Sequence, residues 1–290
     1  MTARLLRLLF PILPLLSMLP GCSGADIVDA LTPDSGYRIV KDIAYGDGPR
    51  RKLDVYLPDQ AAADLPTVVF FYGGGWTDGS KEKYRFIGQA FASRGYAVVI
   101  VDYRLYPEVR YPAFLEDSAS AVAWVKRRMA QETGVLPQPI YFVGHSAGAY
   151  NAAMLLYDPR WLAAQNLRAC EIAAFAGLAG PYDFRPVTGR TLLGIFGEPT
   201  PPDMMPADHV KGGEPPALLI VGETDTTVLP RNSEKLAVRI KEKGGSVEIK
   251  RYGDIDHLWL VGALAAPLRS VAPTLNDVDA FLKKQTRGGC

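Results

Sequence analysis

The chain has 290 residues, 48% of them hydrophobic and 22% charged, and its formal net charge is +1. That balance suits one large α/β domain and excludes the strongly basic surface that nucleic-acid binding requires. The runs Arg50-Arg51-Lys52 and Lys126-Arg127-Arg128 are short and read as solvated surface, so no nucleic-acid partner is expected.

The N-terminus reads as a targeting segment. Arg4 and Arg7 form a positive n-region, and Leu8 to Leu19 form an apolar h-region broken by Pro11 and Pro14. It is too short for a membrane span of ~20 residues. It ends Leu19-Pro20-Gly21-Cys22-Ser23, which resembles a bacterial lipoprotein box with Cys22 as the lipidated residue. That resemblance implies a signal peptide over 1–22, a tether over 23–36 and one domain over 37–290. It also implies membrane association through a lipid anchor at Cys22, with Ser23 pointing to the outer membrane, facing the periplasm. The alternative is an ordinary secretory signal and a secreted or periplasmic product. Cys170 begins an apolar run and Cys290 is the last residue, so little disulfide chemistry is expected. With no C-x-x-C and no His/Cys cluster, a metal site is not expected either.

Residues 37–40 and 53–57 read as an antiparallel edge pair. From Thr67 onward, apolar strands (67–71, 97–101, 140–143, 172–177, 217–221, 247–251) alternate with helical stretches (82–94, 113–129, 147–156, 231–244, 275–284). Such alternation predicts a mostly parallel central sheet with helices on both faces. Residues 181–214 break the pattern with Pro199, Pro201, Pro202, Met204, Met205 and Pro206. They read as a small lid insertion over the carboxyl ends of the strands.

Four loops carry chemistry. Tyr72-Gly73-Gly74-Gly75-Trp76 follows the run Thr67 to Phe71, and its uncovered backbone amides can face a developing oxyanion. Gly144-His145-Ser146-Ala147-Gly148 lies between the run Ile140 to Val143 and a helix. This strand, G-x-S-x-G, helix context is that of a nucleophile elbow; the glycines allow a turn at which side chains would clash. Asp225, with Glu223 as the nearby competitor, follows the run Ala217 to Val221. His257 follows the strand-like run Val247 to Arg251 and is one of three histidines. His145 sits inside the elbow, its side chain expected to point elsewhere, and His209 lies in a Pro- and Met-containing loop. The order Ser146, Asp225, His257 matches one hydrolase architecture and neither of the two well-known serine-protease orders.

Together these motifs resemble an α/β-hydrolase-fold serine esterase, similar to the bacterial carboxylesterases of the hormone-sensitive-lipase, kynurenine formamidase and feruloyl-esterase-like group. Asp102-Tyr103-Arg104-Leu105 and the stretch Tyr111-Pro112-Ala113 to Trp124 match segments of that group, and the resemblance covers about residues 37–285. It implies an α/β-hydrolase fold and a short-chain carboxylesterase acting on a small-molecule ester through an acyl-enzyme on Ser146. His257 would be the base, Asp225 its orienting acid, and the amides of Gly74, Gly75 and Ala147 the oxyanion hole, with no cofactor. Alternatives are an arylformamidase or amidase of the same fold, or a non-catalytic hydrolase-like envelope protein. Tyr72 departs from the group, which usually carries His there, at a position that helps fix the oxyanion loop.

Overall fold

The computed structural model describes residues 28–285. The expected signal peptide, the Cys22 anchor and the first part of the expected tether lie outside the described residues. Among the described residues eight strands are present: β1 (Tyr37–Ala44), β2 (Lys52–Pro58), β3 (Asp64–Phe71), β4 (Ala97–Val101), β5 (Leu136–His145), β6 (Ala174–Leu178), β7 (Ala217–Gly222) and β8 (Val247–Tyr252). They form one sheet in the order β1-β2-β4-β3-β5-β6-β7-β8. The β1–β2 and β2–β4 pairings are antiparallel and the others parallel.

The α-helices are α1 (Arg85–Ala92), α2 (Ala113–Thr133), α3 (Ala147–Tyr157), α4 (Pro159–Ala163), α5 (Arg190–Phe196), α6 (Arg231–Glu242), α7 (His257–Gly262) and α8 (Thr274–Lys283). Successive side chains of a strand point to opposite faces, and both faces of β3 are apolar. Val68 and Phe70 enter the core beneath α1 and α8, whereas Val69 and Phe71 enter the core beneath α2, α3 and α6. Burial on both faces is why β3, β4 and β7 read as unbroken apolar runs rather than alternating ones. The helix after β3 and the helix after β5 lie on opposite faces although the two strands are neighbours. Such a switch point opens a crevice at the carboxyl ends of the strands. The Tyr72 loop and the G-x-S-x-G elbow both leave from there.

Residues 181–214 contain one helix, α5, and a short turn of helix at Pro206–Asp208. Ile195 and Phe196 are buried in the core, with Phe184 and Leu192 packed against it. Each fully buried side chain of this size contributes roughly 1.5–3 kcal/mol, so α5 is seated by its own apolar face. The described part of the expected tether is also seated. Arg85 donates from Nε to the Asp29 carboxylate (2.9 Å) and from Nη2 to the Thr32 carbonyl (3.1 Å), while Val28 packs against the core. One expectation needs correction. Cys170 lies in a turn of helix before β6 and is disulfide-bonded. Cysteine spacing alone cannot reveal such a linkage.

Candidate active site

The elbow is built by steric necessity. A Cβ on Gly148 would come within 2.0 Å of the Phe71 carbonyl oxygen and 2.4 Å of that of Tyr72, and a Cβ on Gly144 within 2.6 Å of the Ala149 Cα. Glycine at both places lets α3 start hard against the end of β3. Ser146 itself is held at φ 53°, ψ −124°, a conformation that costs a non-glycine residue about 1–3 kcal/mol. The turn is fixed from both sides: the Ser146 amide donates to the Leu178 carbonyl (2.9 Å), and the Tyr150 amide donates to the Ser146 carbonyl (3.1 Å).

Asp225 follows the end of β7 in a loop that wraps its carboxylate. Oδ1 accepts from the Thr227 and Val228 amides at 2.9 and 2.8 Å, and Oδ2 accepts from His257 Nδ1–H at 2.7 Å. Burial raises the Asp225 carboxyl, but the bonds from His257 and from the Val228 and Thr227 amides more than offset it, and the net shift is downward. Asp225 therefore stays ionised beside the imidazole. Glu223 is exposed and takes no part in this pairing. His257 opens the short helix α7, which Asp256 caps by accepting from the Leu258 and Trp259 amides, both at 3.0 Å. The Ser146 hydroxyl makes no hydrogen bond to His257 in this resting geometry, although the rings of His145 and His257 are 4.7 Å apart. Serine–histidine contacts of this kind commonly tighten when substrate is seated.

Gly74 and Gly75 have φ of +122° and +59°, and a Cβ on Gly74 would lie 2.1 Å from the Asp78 carbonyl oxygen. Their amides donate to no backbone carbonyl. The Ala147 amide is the first of α3 and so has no partner within the helix. Gly73 joins this loop to the elbow: its Cβ would meet His145 Nδ1 at 2.8 Å and Ser146 Cβ at 3.0 Å. The three candidate oxyanion amides and Ser146 thus gather at the carboxyl ends of β3 and β5.

Tyr72 is a structural keystone of the loop. It is fully buried, stacked on Tyr103 (4.8 Å) and Tyr84 (5.3 Å). Its hydroxyl donates to Asp102 Oδ1 (2.7 Å) and accepts from Arg50 Nη2 (2.8 Å), which also donates to the Gly79 carbonyl (2.7 Å). Tyr103, buried, donates to the Tyr72 carbonyl at 2.7 Å, so it is packing and not pocket lining. Trp76 is also buried and donates to Asn151 Oδ1 at 3.0 Å. Arg50, Asp102, Asn151 and His145 are participants that sequence reasoning did not assign; only Asp102 carried a signal, through the Asp102 to Leu105 segment. His145 does not point away: its Nε2–H donates to the His257 carbonyl at 3.0 Å. Two open hollows of about 430 and 350 Å³ are lined by neither Ser146, Asp225 nor His257; the convergence of side chains locates this site. Among the described residues no cluster suited to a metal ion occurs.

A serine on a strained strand-to-helix turn, a glycine loop on the neighbouring strand and an Asp–His pair beyond two later strands define an α/β hydrolase. The chain resembles several such proteins. It is 28% identical over 258 residues to a probable isoprenylcysteine alpha-carbonyl methylesterase of Arabidopsis thaliana, covering 79% of this chain and 52% of that one. It therefore spans about half the length of that relative. It is 26% identical to the kynurenine formamidase of Danio rerio over 77% of this chain and 76% of the relative. Its fold is similar to that of esterase 2 of Thermogutta terrifontis, with a TM-score of 0.68 at 25% identity, covering 87% and 96% of the two chains. The chain belongs to the BD-FAE family, whose model matches residues 53–240; a model of the prolyl oligopeptidase family matches residues 199–289.

Proposed function

We propose that this protein hydrolyses carboxylic esters of small molecules through an acyl-enzyme on Ser146. The 2.7 Å bond from His257 Nδ1–H to Asp225, made beside the Ser146 elbow, carries this reading. With Nδ1 holding the proton, the Nε2 lone pair is left to take the proton of the Ser146 hydroxyl as its oxygen attacks the ester carbonyl. The amides of Ala147, Gly74 and Gly75 receive the oxyanion, each such donor being worth ~3 kcal/mol. His257 then gives its proton to the leaving alcohol. Water, deprotonated by the same nitrogen, releases the acid and restores the serine.

A short acyl chain is favoured by the aromatic filling beside the oxyanion loop. Phe196 of α5 meets Trp76 edge-on at 5.0 Å, and Tyr150, one helical turn beyond Ser146, meets Trp76 at 5.1 Å. On this reading residues 181–214 act as a lid that limits the pocket. We also propose lipid anchoring at Cys22 in the cell envelope; the disulfide at Cys170 is in keeping with an oxidising compartment. A second reading, formamide hydrolysis, is favoured by the likeness to the kynurenine formamidase, which covers most of both chains.

The test uses the chain lacking residues 1–22. p-Nitrophenyl esters of increasing chain length and N-formylkynurenine are compared, with fluorophosphonate labelling in parallel. Ser146→Ala should abolish both turnover and labelling. Retained turnover by the purified variant removes Ser146 as nucleophile, and a wild-type protein inert to every substrate and to the probe indicates a binding protein.

A further inference from the structure

We infer that His145, the residue before the candidate nucleophile, is a positioning residue that holds the His257 backbone in register with the elbow. The inference rests on the proposed serine chemistry and extends it. His145 and His257 are 112 positions apart, yet His145 Nε2 lies 3.0 Å from the His257 carbonyl oxygen. The two rings stand 4.7 Å apart with a 41° tilt. No hydrogen bond between the Ser146 hydroxyl and the His257 imidazole holds the two loops together at rest. The Asp225 bond fixes the imidazole from one side, but it ties His257 to β7 and not to the elbow. The His145 bond is the tie to the elbow itself.

The tautomer follows from the partners. A carbonyl oxygen only accepts, so Nε2 carries the hydrogen and Nδ1 presents a lone pair. That Nδ1 is buried and has no hydrogen-bond partner; it faces Gly73, whose added Cβ would approach it to 2.8 Å. The titratable groups facing His145 are His257 and Asp225. Burial, reinforced by His257, pushes its pKa down to about 3. His145 therefore stays neutral and does not oppose the positive charge that His257 acquires in the reaction.

The experiment compares His145→Leu with His145→Gln, whose amide nitrogen reaches about where Nε2 lies. A misplacement of ~1 Å can cost about 100-fold. His145→Leu should thus lower kcat by roughly that factor with little change in KM. The pH dependence of kcat/KM is recorded for both variants and the wild type. His145→Gln should recover most of the rate and the wild-type pH profile. The low-field proton resonance of the His257–Asp225 bond, observable without turnover, should broaden or shift in the leucine variant and return in the glutamine variant. If leucine leaves kcat, the pH profile and this resonance unchanged, the inference is overturned. It is equally overturned if a folded glutamine variant is as impaired as leucine. Should the leucine variant not fold, His145→Asn, too short to reach the carbonyl, takes its place against glutamine. Failure of the serine reading shows separately, as turnover by Ser146→Ala.

Discussion

Replacing Tyr72 with phenylalanine removes one oxygen from beneath the oxyanion loop and leaves the ring stacked between Tyr84 and Tyr103. The lost oxygen is the donor of a 2.7 Å bond to Asp102, a carboxylate buried in the core. A hydrogen bond to a charged group is worth about 1.5–3 kcal/mol. At about 2–4 °C per kcal/mol for a domain of this size, Tm at neutral pH should fall by ~3–12 °C. The effect should depend on pH. Burial raises the Asp102 carboxyl above its usual value, and the bonds from Tyr72 and the Lys81 amide only partly offset this. Loss of the Tyr72 bond raises it further. A carboxyl raised on folding binds its proton more tightly in the folded state, so acidification stabilises the fold relative to neutral pH. The deficit of Tyr72→Phe is therefore full above the folded-state pKa of Asp102 and shrinks as pH falls through it toward the ordinary value of 3.8. Thermal unfolding of both proteins from pH 7 to pH 4 measures this. A variant with wild-type Tm, or with a deficit that does not change with pH, refutes the assignment of Asp102 as the charged anchor of the loop.

Asp225→Asn should leave the fold intact and lower kcat by about 10⁴, as read with a p-nitrophenyl ester; a loss under tenfold would show that another group orients His257. Gly148→Ala places a methyl 2.0 Å from the Phe71 carbonyl oxygen. The protein should be destabilised by more than ~3 kcal/mol or fail to accumulate, and a soluble variant of wild-type Tm contradicts the packing described for the elbow. Arg85→Ala should release the segment before β1, raising its cleavage rate in limited proteolysis while the core remains resistant; an unchanged digestion pattern would mean the segment is held by other contacts.

The sheet was legible wherever both faces are buried, because β3, β4 and β7 are continuous apolar runs. β5 was less so. It starts at Leu136 rather than Ile140, since Pro137 and Pro139 lack the amide that marks a ladder residue; Leu65 and Pro137 nonetheless pair, with a register shift before Thr67. α7 is not legible in the sequence because six residues carry too little periodicity; the Asp256 cap is the available signal. The helix α5 was hidden by prolines on its C-terminal side. Of the members of the candidate site that matched a motif, Ser146 and Asp225 lie in the expected turn and loop and His257 opens α7, and the structure pairs the last two. What escaped was everything made by distance-spanning contact. The bonds of His145 to residue 257, Tyr72 to Asp102 and Arg85 to Asp29 have no local pattern to betray them.

Gly148 rests on the carbonyl oxygens of Phe71 and Tyr72, and Gly73 rests on His145 and Ser146. On the proposed reading, nucleophile and oxyanion donors are consequently parts of one solid block, clamped across two adjacent strands. His257 hangs from β7 through Asp225 and meets that block through the His145 bond. Mild heat or denaturant should then disturb the relay at its histidine before it disturbs the cradle for the oxyanion, so activity would vanish while the protein still looks folded by every spectroscopic measure of its sheet.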